Sequence, residues 1–296
     1  MNICRRLAMK EQRLASWSDS SKLRTHDFRG ESPARTYFAP GSYLNRGYGT
    51  ASIIRLYLIG IINENIMSSE WLKTPCKRKD PNLNECIRST FQGMFPYMAK
   101  GIPEVNIPRF EPLFIEKIGI TKGHGAVTLT GNFNSLYAHG PSNTTAVSCL
   151  FDIEQGRFNI GLHIPMITTE SQYNLKGNIL LLPLIGVGNA KLILRNVTTE
   201  VYMKVSFPKV QGEEVMRVDG MRVEFRMANC RVHLDNLFNG NKVLGHTVNN
   251  FLNKNALEVV EELKENIGEN LAVVFKKIMN DAFTRIPTKF WIPNDD

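Results

Sequence analysis

A chain of 296 residues with 43% apolar content can bury a sizeable core in one large domain or two. The net charge of +8 is unevenly placed: residues 1–49 hold nine Lys or Arg against four Asp or Glu, leaving +3 for the remaining 247. Lys and Arg gather on no element with stacking aromatics, and Cys76-Lys-Arg-Lys-Asp80 reads as a solvated loop, which argues against a nucleic-acid surface.

Residues 1–50 lack hydrophobic periodicity and read as disordered, and residues 1–70 together read as an atypical N-terminal extension outside the fold. No apolar signal-type run occupies the first 40 residues. The run at 53–62 has that length but lies deep in the chain, is interrupted by Arg55 and is too short to span a bilayer. Glu11, Asp19, Asp27 and Glu31 argue against a mitochondrial presequence. The folded part is expected over 71–296. Leu83, Ile87, Phe91, Met94, Phe95 and Met98 fall at helical spacing, closed by Gly101-Ile-Pro103, with Pro96 expected to bend that helix or end it early. Three prolines make 101–112 an extended connector.

Apolar residues then alternate: Phe158, Ile160, Leu162, Ile164; Tyr173, Leu175, Gly177, Ile179, Leu181; Val201, Met203, Val205, Phe207; Val223, Phe225, Met227. Period two describes antiparallel strands with one face toward a core. Turns are expected at 123–125, Gly140-Pro141, Gln155-Gly156, 186–188 and Asp219-Gly220. After Asn239-Gly240 the rhythm changes. Val248, Leu252, Ala256, Val259, Leu263, Ile267, Leu271, Val274, Ile278 and Ala282 form one helical stripe. A helix over 241–283 would be about 65 Å long at ~1.5 Å per residue. Its stripe creeps around the axis, so it either bends around a sheet or breaks near Asn253-Lys-Asn255. A curved antiparallel sheet around a long helix is an α+β fold suited to a container.

Chemistry is sparse in this sequence. His124, His139, His163, His233 and His246 have no metal-ligand spacing, and no C-x-x-C or G-x-S-x-G occurs. Gly186-Val-Gly188 lacks the third glycine and the helix of a dinucleotide loop and reads as a turn. Asp152 and Glu154 share a strand face as an ordinary surface pair. No catalytic residue, metal or cofactor is therefore expected. Tyr173 and Tyr202 each carry a hydroxyl that is either bonded to backbone in a core or free to meet a ligand's oxygen. Cys76 and Cys86 lie ten apart across Asp80-Pro-Asn82, a turn-forming stretch; if bonded they would close a small loop. The sequons at Asn143 and Asn196 fit an extracellular protein.

Several of these segments occur together in one family. Pro75-Cys-Lys-Arg-Lys-Asp-Pro-Asn-Leu-Asn-Glu-Cys86 resembles the amino-terminal motif of the insect takeout and haemolymph juvenile-hormone-binding proteins. Gly101-Ile-Pro-Glu104, the stretch from Asp152 to His163-Ile-Pro165, and Tyr173-Asn-Leu-Lys-Gly-Asn-Ile-Leu-Leu-Leu-Pro-Leu-Ile-Gly-Val-Gly188 are similar to its central strands. Leu237-Phe-Asn-Gly-Asn-Lys-Val-Leu-Gly245 followed by Phe251-Leu-Asn-Lys-Asn255 resembles its carboxy-terminal motif. The resemblance runs in order from about Trp71 to Pro293. It implies the TULIP fold, a hydrophobic tunnel for a lipid-like ligand, a Cys76–Cys86 disulfide, and secretion. It also implies roles in hormone transport, chemosensation, feeding or circadian rhythm. Members begin with a signal peptide, which the first residues here do not resemble.

The expectation is a secreted, monomeric, non-enzymatic carrier in haemolymph or sensillar fluid, with a takeout-like lipid-binding domain at 71–296. It would bind a juvenile hormone, related terpenoid, fatty acid or odorant, and neither nucleic acid nor, stably, the membrane interior. Ligand contacts are expected from Phe133, Phe158, Leu162, Tyr173, Leu181, Tyr202, Met203, Phe225, Phe251, Val259 and Leu263. The alternative is a membrane-associated lipid-transfer protein, marked by an exposed apolar rim or a basic ring at the tunnel mouth.

Overall fold

A computed structural model describes residues 70–72, 75–180 and 182–294. The extension expected at 1–70 (apart from Glu70) and Leu181 lie outside the described residues. Helix α1, Leu83–Lys100, precedes strands β1 (Leu113–Lys122), β2 (Val127–His139), β3 (Thr145–Asp152), β4 (Arg157–Ile179) and β5 (Leu182–Ser206). A small hairpin of β6 (Lys209–Val210) and β7 (Glu213–Glu214) follows, then β8 (Arg217–Arg226) and β9 (Asn229–Leu234). Helices α2 (Lys242–Lys254) and α3 (Ala256–Phe283) complete the fold.

Burial of Leu83, Ile87 and Phe95 on one face holds α1 to the core. The helix does not end early at Pro96 but runs on to Lys100, stopping at Gly101 with φ 85°. The missing proline N–H costs one hydrogen bond, which the apolar face outweighs. Of the two outcomes expected for the C-terminal helical stripe, a bend or a break, the break occurs, at Asn255, whose side-chain amide donates to the Phe251 carbonyl at 2.8 Å.

The sheet runs β1-β2-β4-β5-β8, with β3 beside β4 and β9 beside β5. Its spine is the β4–β5 hairpin, paired without a register shift from Arg157↔Lys204 to Ile179↔Leu182. Each long strand is flanked by two short ones in succession: β4 by β3 and then β2, β5 by β9 and then β8. Halfway along, the buried face changes parity. On β4 it passes from Phe158 and Ile160 to Thr169, Ser171, Tyr173 and Leu175; on β5 it passes from Leu184 and Ala190 to Val197, Val201 and Met203. Asn196 at that point has φ 50°, and Ser135, at the β2 irregularity, has φ 49°. A left-handed residue inside a strand rotates the pleat by one position and bends the sheet, so the inner surface stays apolar around a sharp curve. The expected turns at 186–188 and Asp219-Gly220 are instead interior to β5 and β8.

Asparagines close the curl. The Oδ1 atoms of Asn266 and Asn270 accept from the N–H groups of Thr121 and Gly119 on the β1 edge, each at 3.2 Å. On the opposite edge, Asn280 bonds both the N–H and the carbonyl of Val218, at 2.7 and 3.0 Å. Asn249 and Asn253 on α2 do the same to Leu234 and Val232 of β9. A side-chain amide has the donor–acceptor pair of a peptide group, so helices here satisfy strand edges that would otherwise be open. Because α3 is bonded to β1 and to β8, the sheet wraps it from both sides.

Candidate functional site

The concave face of the sheet and the inward faces of α2 and α3 enclose two clusters of buried apolar side chains. The first lies at the α1 end. Phe158 packs edge-on against Phe91 at 5.4 Å and Phe151 at 5.0 Å, and Phe283 stacks on Trp291 at 5.5 Å. The disulfide between Cys76 and Cys86, Cα atoms 5.9 Å apart, borders this cluster, and Cys76 is itself buried in it. The second cluster is aliphatic around Tyr173: Val127, Leu129, Leu175, Ile179, Leu184, Leu234, Leu237, Val248, Leu252 and Leu263.

The residues expected to contact ligand distribute unevenly. Phe158 and its cross-strand partner Met203 are buried in the first cluster, with Leu162 half-buried against it. Tyr173 and Leu263 are buried in the second, with Phe251 and Val259 packed against it. Phe133 touches both and so lies between them. Phe225 is half-buried, in register with Thr199 and, through it, with Leu162, and belongs to neither cluster. Tyr202 faces away from Val201 and Met203, and its ring carries the Arg222 guanidinium at 4.7 Å. Burial, then the charges of Glu224 and Glu200, raise its pKa.

Tyr173 is 1% exposed and its hydroxyl donates to the Asp235 carbonyl at 2.5 Å. Burial and, secondarily, the Asp235 charge push its pKa to about 12, so it stays a donor. This bond explains the Gly-x-Gly pair in β5. A Cβ on Gly186 would stand 2.4 Å from the Tyr173 hydroxyl, and one on Gly188 would stand 2.7 Å from the Asp235 carbonyl. The glycines clear a path for the phenol rather than making a turn.

Two inward residues were not anticipated from the sequence. Thr169 and Ser171 are each 8% exposed, and their hydroxyl oxygens have no hydrogen-bond partner. The signal was available: stepping back by twos from Tyr173 reaches Ser171 and Thr169. Cys149 and Cys230 are free, and burial pushes both thiols up to about 11, away from reactive thiolate. Among the described residues no group of three His, Cys, Asp or Glu side chains could hold a metal ion. The sequon residues Asn143 and Asn196 are both exposed.

Residues 58–293 match the family model described as haemolymph juvenile hormone binding protein (JHBP). The chain belongs to this family. The circadian clock-controlled protein daywake of Drosophila melanogaster is 22% identical over 240 residues, covering 78% of this chain and 92% of the relative. Its Drosophila yakuba counterpart is 20% identical over 248 residues, covering 80% and 95%. The crystal structure of Epiphyas postvittana Takeout 1 superposes with a TM-score of 0.65 at 24% identity, covering 74% of this chain and 98% of that one. That likeness extends to the fold: a curled antiparallel sheet closed by C-terminal helices, the TULIP-like α+β architecture.

Proposed function

We propose that this member of the juvenile-hormone-binding family is a secreted, non-enzymatic carrier. Its ligand is a small hydrophobic molecule, such as a juvenile hormone, related terpenoid, fatty acid or odorant, held between the curved sheet and α3. The same reading takes 71–296 as the lipid-binding domain. One observation supports it: half-buried apolar side chains from β2, β4, β5 and α3 pack against the first cluster (Ile167, Leu271), the second (Leu192, Ile267) or both (Phe133). Such side chains have apolar surface left to cover. A ligand hiding ~400 Å² of apolar area gains ~10 kcal/mol gross. Immobilisation and ordering consume several of those, leaving roughly micromolar to tens of nanomolar affinity. Native mass spectrometry of protein taken from its source tissue should show extra mass that leaves on denaturation. Protein that carries no lipid and does not bind the apolar fluorophore N-phenyl-1-naphthylamine would refute the carrier reading.

Lipid transfer at a membrane surface is the second reading, favoured by exposed apolar residues at the α2 end. Val243 and Leu244 open α2, while Ile185 and Val187 are exposed on β5, where the Asn236 side chain bonds the Val187 carbonyl at 2.7 Å. No helix among the described residues is long and apolar enough to cross a membrane, so this contact would be superficial. Flotation with phosphatidylcholine vesicles, lost in V243S/L244S, is its test.

A further inference from the structure

We propose that Thr169 and Ser171 form a hydrogen-bonding station midway along the interior, which takes a neutral oxygen part-way down an elongated apolar ligand. The inference rests on the carrier reading and specifies the ligand's chemistry. Both residues lie on β4 between Ile167, which packs on the first cluster, and Tyr173, which belongs to the second. They share the inward parity of Tyr173 and are more than nine-tenths buried. Buried hydroxyls in folded proteins are almost always paired, so two unpaired ones, two residues apart on one strand face, indicate a missing partner.

The surroundings supply no substitute partner. Across the strands, Thr169 faces Ala138 on β2 and Leu192 on β5, and Ser171 faces Ala190 on β5, none of which carries a polar side-chain group. The nearby Tyr173 hydroxyl is committed to Asp235. The intervening Glu170 points to the other face, where it pairs with Lys191 at 2.8 Å. From α3, Ile267 packs against the second cluster and Leu271 against the first, and both are apolar.

A hydroxyl can donate to the oxygen of an ester, ketone, ether or alcohol, and can also accept from an alcohol. A carboxylate would lie in apolar surroundings without a counter-charge, which disfavours it. The station therefore selects a neutral molecule with apolar arms on both sides of an oxygen. It selects against a fatty acid whose only oxygens form a charged terminus.

The test uses the full chain and displacement of N-phenyl-1-naphthylamine by three probes of equal length: pentadecan-8-one, pentadecane and pentadecanoic acid. The ketone should compete about tenfold better than either of the others, the factor one net hydrogen bond confers. In T169V/S171A that advantage should fall to within twofold, with pentadecane affinity kept. Equal competition by ketone and alkane in the wild type overturns the station while leaving the carrier reading intact. Failure of the fluorophore itself to bind overturns both. The wild-type comparison needs no variant, so a misfolded double mutant does not remove the test. The urea midpoint adds a second readout: replacing unpaired hydroxyls should leave it unchanged or raised. A lowered midpoint with the ketone preference intact would assign the hydroxyls to the fold and refute the station.

Discussion

The two ends of the interior solve the same problem with different materials. At the α1 end, the rings of Phe91, Phe151, Phe158, Phe283 and Trp291 meet one another at centroid distances of 5.0 to 6.4 Å, and a disulfide borders them. Interlocked rings have few alternative packings, so this end fixes the fold. At the α2 end, Tyr173 is the one aromatic among the buried members of the second cluster, and the rest are aliphatic. There the helix is also interrupted, at Asn255, so α2 and α3 are separate rods over the same sheet. Aliphatic side chains change rotamer with less disturbance than stacked rings. The contrast places rigidity at one end and accommodation at the other, with Phe133 and the two unpaired hydroxyls at the border.

The largest effect should come from breaking the rigid end. Phe158→Ala removes a fully buried ring from between Phe91 and Phe151, and a cavity of that kind costs ~3–5 kcal/mol. Fluorophore affinity, measured in the same preparations, should change little. Val259→Trp on α3, half-buried against the aliphatic cluster, should do the reverse: it occupies ligand space and costs less than the ~1–3 kcal/mol of overpacking a filled core. If both variants lose urea resistance and binding in the same proportion, the two ends are one core and the contrast is void.

A smaller effect sharpens the same comparison. C76A/C86A opens a loop with a sequence separation of 10, worth about 2.5–3 kcal/mol in the chain-entropy account. The loss should appear as a lower urea midpoint and as faster amide exchange in α1 and β3. Exchange at β2 and at the N-terminal half of β5 should be unaffected. Faster exchange that extends equally to both ends would show that the disulfide holds the whole interior rather than its own end.

Much of this architecture can be read from the residues, and the exceptions have physical causes. The switch from period two to a helical stripe marks the sheet and its helices, and the drift of that stripe anticipates the break at Asn255. The parity change was also present, because Phe158–Ile160–Leu162 are even-numbered and Tyr173–Leu175 odd-numbered. On β5 the matching change falls at a left-handed Asn196, a conformation that depends on tertiary context that sequence does not display. Gly186 and Gly188 read as a turn because glycine's usual signal is conformational freedom. Here its role is the absence of a Cβ beside Tyr173, visible only when the two strands are paired. Tyr202 and Met203 are neighbours on one strand, so alternation sends them to opposite faces and both could not line one cavity. The edge-bonding asparagines carried a local clue: Asn249 and Asn253, and again Asn266 and Asn270, recur four apart inside helices, where asparagine is a poor former.

The smallest effect tests whether the accommodating end is nonetheless closed to water. Tyr173→Phe keeps the ring, deletes its bond to the Asp235 carbonyl, and should cost about 1 kcal/mol at neutral pH. Its more telling signature is in alkali. Burial raises the Tyr173 pKa from 10.0 to about 12, and raises Cys149 and Cys230 from 9.0 to about 11. In each case the folded state favours the neutral form, so the unfolded chain releases its protons first. The stability these groups contribute is complete below about pH 9, and it declines as the pH rises through the folded-state values. Urea midpoints between pH 9 and 12 should therefore fall in the wild type and fall less steeply above pH 10 in Tyr173→Phe, which keeps the thiol and Tyr202 contributions but loses that of Tyr173. Identical slopes would mean that the Tyr173 hydroxyl ionises as readily in the folded protein as in the unfolded chain. Solvent would then reach the aliphatic end directly, and that end would be an open mouth rather than a sealed half of the interior.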